Sequence, residues 1–132
     1  MPKNRVLLVE NGLHENETLK VTLESRGFKV HSIVLTPQGI LEAQNQEPDI
    51  IILDSSNQTT NFFEIIHTMR NFSLAPILVL STLDQPNFIA KTLDSGADDV
   101  LTKPVSAEVL MASIRKLTRR SRSNVTHEIP PS

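Results

Sequence analysis

The sequence contains no cysteine, tryptophan or tyrosine. The absence of cysteine excludes disulfides, thiolate zinc sites and thiol nucleophiles, and it is compatible with a reducing compartment. The four histidines are scattered without metal-ligand spacing, and no glycine-rich phosphate loop occurs.

The two signs of charge are nearly balanced. The chain carries 13 basic and 15 acidic residues, for a formal net charge of -2, which gives no reason to expect nucleic acid or an anionic membrane as an obligatory partner. No apolar run is long enough for a membrane span, and the start lacks the features of a signal peptide. At 132 residues the length predicts a single domain with a real core.

Apolar runs alternate with helical patterns along the chain. The runs predict strands at residues 6–9, 28–35, 50–53, 75–80 and 99–102. Helical periodicity predicts helices at residues 13–26, from 37 to about 46, from 62 to at least 69, at 85–95 and at 106–120. Five strand and helix pairs of this kind predict an α/β fold with a parallel sheet covered by helices on both faces. The alternating second strand predicts an edge position with one wetter face.

Helix ends are marked by residues with suitable backbone preferences. Gly27 and Gly96 follow predicted helices as C-terminal stops, and Thr36 precedes a proline as a predicted N-cap. After the last predicted helix, residues 121–132 are polar and lack periodicity. We expect a domain over residues 1–120 and a frayed tail or the start of a linker over residues 121–132.

Polar side chains follow four of the predicted strands. These are Glu10 and Asn11 after the first, Asp54 after the third, Ser81 after the fourth and Lys103 after the fifth. An aspartate after a strand, taken alone, more often starts a turn or caps a helix. Because the carboxyl ends of parallel strands meet at one sheet edge, these groups are expected to converge. Such a set suits a carboxylate nucleophile that accepts a phosphoryl group.

Four blocks of the sequence resemble the signature blocks of two-component response-regulator receiver domains of the CheY-like type. They are Val-Leu-Leu-Val-Glu-Asn at 6–11, Asp-Ile-Ile-Ile-Leu-Asp at 49–54, Pro-Ile-Leu-Val-Leu-Ser-Thr at 76–82 and Gly-Ala-Asp-Asp-Val-Leu-Thr-Lys-Pro at 96–104. The resemblance covers about residues 3 to 120. It implies a flavodoxin-like, doubly wound (βα)5 fold with strand order 2-1-3-4-5.

The resemblance also implies the roles of the residues at the strand ends. Asp54 would be the phosphoacceptor, Lys103 would contact a phosphoryl oxygen and Ser81 would donate a hydrogen bond to another. Mg²⁺ would be held by Glu10, Asn11, Asp54 and the backbone carbonyl of Ser56. The donor would be a sensor histidine kinase, a phosphotransfer protein or a small acyl phosphate. The family implies a cytoplasmic signalling module with no substrate turnover of its own.

Three departures from the family pattern affect this interpretation. Asn11 stands where the family has a second carboxylate, which predicts weakened Mg²⁺ binding and slower phosphorylation. Residues 55–60 are entirely polar and lack the usual Pro-Gly turn. Val100 occupies the position of the family's switch aromatic. These features favour an alternative hypothesis, a pseudo-receiver that serves as an interaction module without phosphorylation.

The final blocks are similar to those of receivers joined to DNA-binding domains. A C-terminal DNA-binding output domain in a longer parent protein is therefore one expected partner. Such receivers often dimerise through the fourth helix, fifth strand and fifth helix, using charge pairs. In this sequence Val109 and Ser113 occupy the positions of the recurrent glutamate and arginine of the last helix, which argues against that dimer. We expect a monomer or a weak homodimer.

Overall fold

A computed structural model describes residues 3–10, 16–55 and 62–127, with side chains through residue 119. Five strands lie within these ranges: β1 (Arg5–Glu10), β2 (Lys29–Val34), β3 (Ile50–Asp54), β4 (Ile77–Ser81) and β5 (Asp99–Thr102). They form one parallel sheet in the order β2-β1-β3-β4-β5. The strand order implied by the family resemblance is confirmed, and it places β1 and β3 side by side at the centre of the sheet.

Helices connect the strands and cover both faces of the sheet. They are α1 (Glu17–Ser25), α2 (Pro37–Gln44), α3 (Phe62–Phe72), α4 (Pro86–Asp94) and α5 (Ala107–His127). Within the described ranges, none of the helices is both long and apolar enough to cross a membrane.

Alternate residues of the central strands supply two separate cores. One core lies on the α2, α3 and α4 side of the sheet and contains buried residues such as Leu7, Ile51 and Phe62. The other lies on the α1 and α5 side and contains Leu8 and Ile52 among others. Because successive side chains of a strand point to opposite faces, the uninterrupted apolar runs of β1, β3 and β4 fill both cores. This burial on two faces explains why those runs show no alternation.

The edge position predicted for β2 is confirmed. It pairs with β1 alone within the described sheet, and Lys29 and His31 are exposed while Ile33 is buried. A charged, solvated edge of this kind also disfavours pairing with other chains.

The predicted helix signals are also confirmed. Gly27 and Gly96 follow α1 and α4 with φ values of 94° and 127°, a left-handed region that residues with a Cβ avoid. Thr36 accepts a hydrogen bond on its Oγ1 from the backbone N–H of Gly39 at 3.0 Å and so caps α2.

Two helix boundaries differ from the prediction. The last helix continues beyond Arg120 to His127, because no glycine or proline interrupts the chain between Pro104 and Pro130. The predicted end of the last helix at residue 120 is therefore wrong, whereas the assignment of residues 121–132 to a tail or linker stays a prediction. The first helix begins at Glu17, and the predicted start near residue 13 lies outside the described residues.

Candidate functional site

The alternation of side chains directs two carboxylates to the same face of the sheet. Leu8 and Ile52 are paired in register across β1 and β3, and both pack into the core beneath α1 and α5. Glu10 and Asp54 lie two residues further along the same strands, so their side chains point to that face too. They close their strands at the carboxyl edge of the sheet. Strand register thus brings these two of the predicted site residues to one face of the sheet.

Asp54 is an almost fully buried carboxylate, with 2% of its surface exposed. Its Oδ1 lies 2.9 Å from the Nζ of Lys103. Its Oδ2 accepts a hydrogen bond at 2.8 Å from the side-chain amide Nδ2 of Asn16. A buried carboxylate stays charged only where cations or N–H donors compensate for lost water. Among the described contacts, a full positive charge lies against one oxygen and a neutral amide against the other.

Glu10 is the second buried carboxylate of the site, with 5% of its surface exposed. Its Oε1 accepts a hydrogen bond at 3.0 Å from the backbone N–H of Asn16. Asn16 therefore joins Glu10 to Asp54, with its backbone on one carboxylate and its side chain on the other.

Sequence reasoning missed Asn16. An asparagine before a helix is normally interpreted as an N-cap, and Asn16 does occupy that position before α1, yet its side chain makes no capping hydrogen bond. The contact with Asp54 joins residues far apart in the chain, and no local pattern signals it.

Lys103 reaches the site from the connection between β5 and α5. Its backbone N–H donates to the carbonyl oxygen of Ser81 at 2.7 Å, which fixes the start of this connection against β4. Its side chain is 27% exposed, so the ammonium lies at the mouth of the site above the buried Asp54. The structure therefore brings Lys103 and Asp54 together as the sequence predicted.

Ser81 is fully buried at the end of β4. Its hydroxyl accepts a hydrogen bond from the backbone N–H of Leu83 at 2.9 Å and donates to the carbonyl oxygen of Leu83 at 3.2 Å. The hydroxyl is thus engaged with the loop that follows β4, and its role toward a phosphoryl group stays a prediction.

The end of β3 is anchored to β4 by Ser55. Its backbone N–H and its hydroxyl both donate to the carbonyl oxygen of Leu80, at 2.9 and 3.1 Å. Asp54 is therefore held between a strand and a doubly bonded residue, and its backbone has little freedom to move. Such rigidity keeps a reactive carboxylate in one orientation.

The donor set of the site fits Mg²⁺. Glu10 and Asp54 supply hard carboxylate oxygens from neighbouring strands, and Mg²⁺ is commonly held by one or two carboxylates together with water. The other predicted ligands, Asn11 and Ser56, lie outside the described residues. Within those that are described, no group of three or more histidine, aspartate or glutamate residues could hold a metal ion, so a cation here would depend on further oxygens.

A groove of about 490 Å³ opens beside the site, between α1 and the β5–α5 connection. Leu19, Leu80, Val105 and Leu110 contribute to its largely apolar lining, and Asn16 and Lys103 are among its polar lining residues. The groove is therefore continuous with the residues that hold Asp54.

Val100 lies on β5, opposite Val79 of β4. It is partly buried and packs against the core on the α2, α3 and α4 side. The side chain is aliphatic and partly fills a packing site, so this position carries no aromatic ring that could change between a buried and an exposed rotamer.

Comparison with known proteins identifies the family. Residues 6–115 match the family model described as the response regulator receiver domain. The KDP operon transcriptional regulatory protein KdpE of Escherichia coli (strain K12) is 36% identical over 115 residues, which are 87% of this chain and 51% of that protein. The cell cycle transcriptional regulator CtrA of Caulobacter vibrioides is 31% identical over 121 residues, covering 91% of this chain and 52% of the relative.

A solved structure shares the fold. The response regulator protein from Burkholderia pseudomallei, described with a phosphorylated aspartic acid, calcium ion and citrate, superposes with a TM-score of 0.75 at 22% identity. The match covers 96% of this chain and 75% of that one. The chain spans about half the length of the curated relatives named above. The match to the family model over most of its residues shows that the chain belongs to the response regulator receiver domains of two-component signal transduction.

Proposed function

We propose that the domain accepts a phosphoryl group on Asp54 from the phosphohistidine of a sensor histidine kinase or phosphotransfer protein. The observation that carries the proposal is the position of Asp54, a nearly buried carboxylate at a strand end, with the Lys103 ammonium 2.9 Å from one of its oxygens. A small acyl phosphate would serve as an alternative donor. The domain itself would turn over no substrate.

In the transfer, an oxygen of Asp54 forms a bond to phosphorus while the bond from phosphorus to the donor's leaving group breaks. The transferring group spreads negative charge over its equatorial oxygens, so cations and donors already in place lower the barrier. The Lys103 ammonium already lies beside Asp54, so it needs to move little to contact a phosphoryl oxygen. Ser81 would supply a hydrogen bond once its hydroxyl leaves the backbone of Leu83.

Mg²⁺ would be held by Glu10, Asn11, Asp54 and the carbonyl oxygen of Ser56. When bound, it would neutralise charge on the phosphoryl oxygens and help to orient the phosphoryl group for attack at phosphorus. The near burial of Glu10 and Asp54 supports this site, and the related Burkholderia pseudomallei structure is described with a calcium ion and a phosphorylated aspartic acid. Asn11 removes one carboxylate from the ligand set, so weak affinity is expected.

The length of the curated relatives supports the proposal that this domain belongs to a longer regulator. Both are named as transcriptional regulators, and this chain spans about half of each. We propose that the domain is part of a longer cytoplasmic regulator that carries a C-terminal DNA-binding output domain.

The apolar groove beside Lys103 offers the kinase a contact surface next to the acceptor. The domain alone would be a monomer or a weak homodimer.

The test is incubation with acetyl phosphate and Mg²⁺, followed by intact-mass measurement. The wild type should gain the mass of one phosphate, and Asp54→Asn, which keeps the side-chain shape, should gain none. Asp49→Asn is the matched control, because Asp49 precedes the other end of β3 and accepts a hydrogen bond from the backbone N–H of Arg5. Absence of any mass gain in the wild type would overturn the proposal, as would an unchanged gain in Asp54→Asn.

A further inference from the structure

Asn16 makes contacts that the proposed roles of the other site residues do not explain. Its side-chain Nδ2 donates to Asp54 Oδ2 at 2.8 Å, and its backbone N–H donates to Glu10 Oε1 at 3.0 Å. One residue at the start of α1 thus places an N–H group on each of the two buried carboxylates. These are the two described carboxylates on which the proposed magnesium site depends.

The side chain of Asn16 makes this contact in place of a local one. Asn16 is the N-cap residue of α1, with φ of -120° and ψ of 39°, and it makes no side-chain capping hydrogen bond. An asparagine at this position ordinarily accepts a hydrogen bond from the first turn of its helix. The amide instead stabilises the negative charge of Asp54, which indicates that its orientation serves the site.

We infer that Asn16 donates hydrogen bonds to Asp54 and Glu10 before the cation binds, and that its side-chain amide must leave Asp54 when Mg²⁺ binds. We call this arrangement the Asn16 latch. The inference rests on the proposed function, because it assumes that the cation enters between these carboxylates. Asn16 is a positioning residue in this scheme. It determines how readily Asp54 binds Mg²⁺ and so becomes able to accept a phosphoryl group.

The physical basis is competition for the same oxygen atoms. An N–H group directed at a carboxylate oxygen carries partial positive charge and stabilises the anion as a cation would, only more weakly. Mg²⁺ demands short, regular contacts to its oxygens, so the amide hydrogens on Asp54 Oδ2 must move away from the space that it takes. Breaking the amide contact costs free energy, so Mg²⁺ binds more weakly than it would if the amide were not there.

Removal of the amide should therefore tighten Mg²⁺ binding. In isothermal titration calorimetry with MgCl₂, the dissociation constant of Asn16→Ala should fall by about tenfold relative to the wild type, which is the effect of one hydrogen bond to a charged group. Asn4→Ala is the matched control. Asn4 also donates one side-chain hydrogen bond, to the carbonyl oxygen of Gly27, but it precedes β1 at the opposite end of the strand from Glu10. Its substitution should leave the dissociation constant unchanged.

Asn16→Asp provides a second test with a readout other than affinity. This variant keeps the size of the side chain but replaces the donor with a third carboxylate beside Asp54 and Glu10. In EDTA its melting temperature should fall below that of the wild type, because like charges repel in a site with little water. Saturating Mg²⁺ should raise its melting temperature by more than it raises that of the wild type.

The possible outcomes distinguish a failure of the latch from a failure of the proposed function on which it rests. If the wild type binds Mg²⁺ and Asn16→Ala binds equally well or more weakly, the latch is overturned and the magnesium site stands. If neither protein binds Mg²⁺ at millimolar concentrations, both are overturned. An Asn16→Asp variant whose melting temperature responds to Mg²⁺ no more than the wild type would also contradict the latch.

Discussion

Replacement of Lys103 by methionine, alone and together with Asp54→Asn, measures how strongly the two side chains are coupled. Methionine keeps much of the aliphatic stem of lysine and removes the ammonium, while asparagine removes the charge of Asp54 and keeps its shape. The double-mutant cycle isolates the pairwise free energy, since the contacts that each side chain makes elsewhere cancel. This matters because Asp54 also accepts a hydrogen bond from Asn16.

The structure sets the expected magnitude. Unit charges 2.9 Å apart attract with about 6 kcal/mol at an effective dielectric constant of about 20. Much of this is offset by the desolvation of both groups. Asp54 is 2% exposed and Lys103 is 27% exposed, so water screens only the outer side of the pair. We expect a coupling free energy of about 2 kcal/mol.

The assay is urea denaturation followed by far-ultraviolet circular dichroism, because the chain has no tryptophan or tyrosine to report by fluorescence. Lys116 and Asp99 form the control cycle. Their atoms lie 3.5 Å apart, and their side chains are 52% and 30% exposed, so their coupling should stay below about 0.5 kcal/mol. Equal couplings in the two cycles would contradict this expectation, because the burial of Asp54 would then have no effect on the strength of its pair.

Three further substitutions, one of them with its own control, test the packing of α2 and the roles of Asn11 and Ser81. Gly39→Ala would place a Cβ 1.9 Å from the carbonyl oxygen of Val34, so despite the better helix propensity of alanine it should lower the free energy of unfolding by about 1 to 3 kcal/mol. Gln38→Ala, on the exposed side of the same helix, should change it by less than about 0.5 kcal/mol, and a loss as large as that of Gly39→Ala would contradict the steric argument. Asn11→Asp should tighten Mg²⁺ binding by about tenfold or more in a calorimetric titration, and an unchanged affinity would remove Asn11 from the ligand set. Ser81→Ala should slow phosphorylation by acetyl phosphate on the order of 10-fold to 100-fold, as measured by the rate of mass gain, whereas a wild-type rate would exclude a role for its hydroxyl.

The layered fold was accessible from the sequence because its signals are local. The apolar runs around Leu8 and Ile52 lack alternation because both faces of the sheet are covered, and Gly27 ends α1 through its own backbone preference. The strand order came from the family resemblance, because the pattern of strands and helices by itself does not fix which strands are neighbours.

The site residues at strand ends could also be predicted from local signals, because each closely follows an apolar run. Lys103 and Asp54 were predicted to meet, and they lie in contact. Asn16 was not predicted, since its contact with Asp54 depends on where α1 packs over the sheet. The constraint on Gly39 was equally hidden, because the nearby carbonyl group of Val34 belongs to the preceding strand and only the folded backbone brings it close.

The most direct test of the account is to map where the phosphoryl group attaches. After incubation with acetyl phosphate and Mg²⁺, borohydride reduction converts an aspartyl phosphate to homoserine, which tandem mass spectrometry locates in a peptide digest. If Asp54 is the acceptor, homoserine should be found at position 54 alone, in amounts that fall sharply in Lys103→Met. Homoserine at another aspartate, or its absence from a protein that has gained the mass of a phosphate, would contradict the assignment of Asp54 as the acceptor.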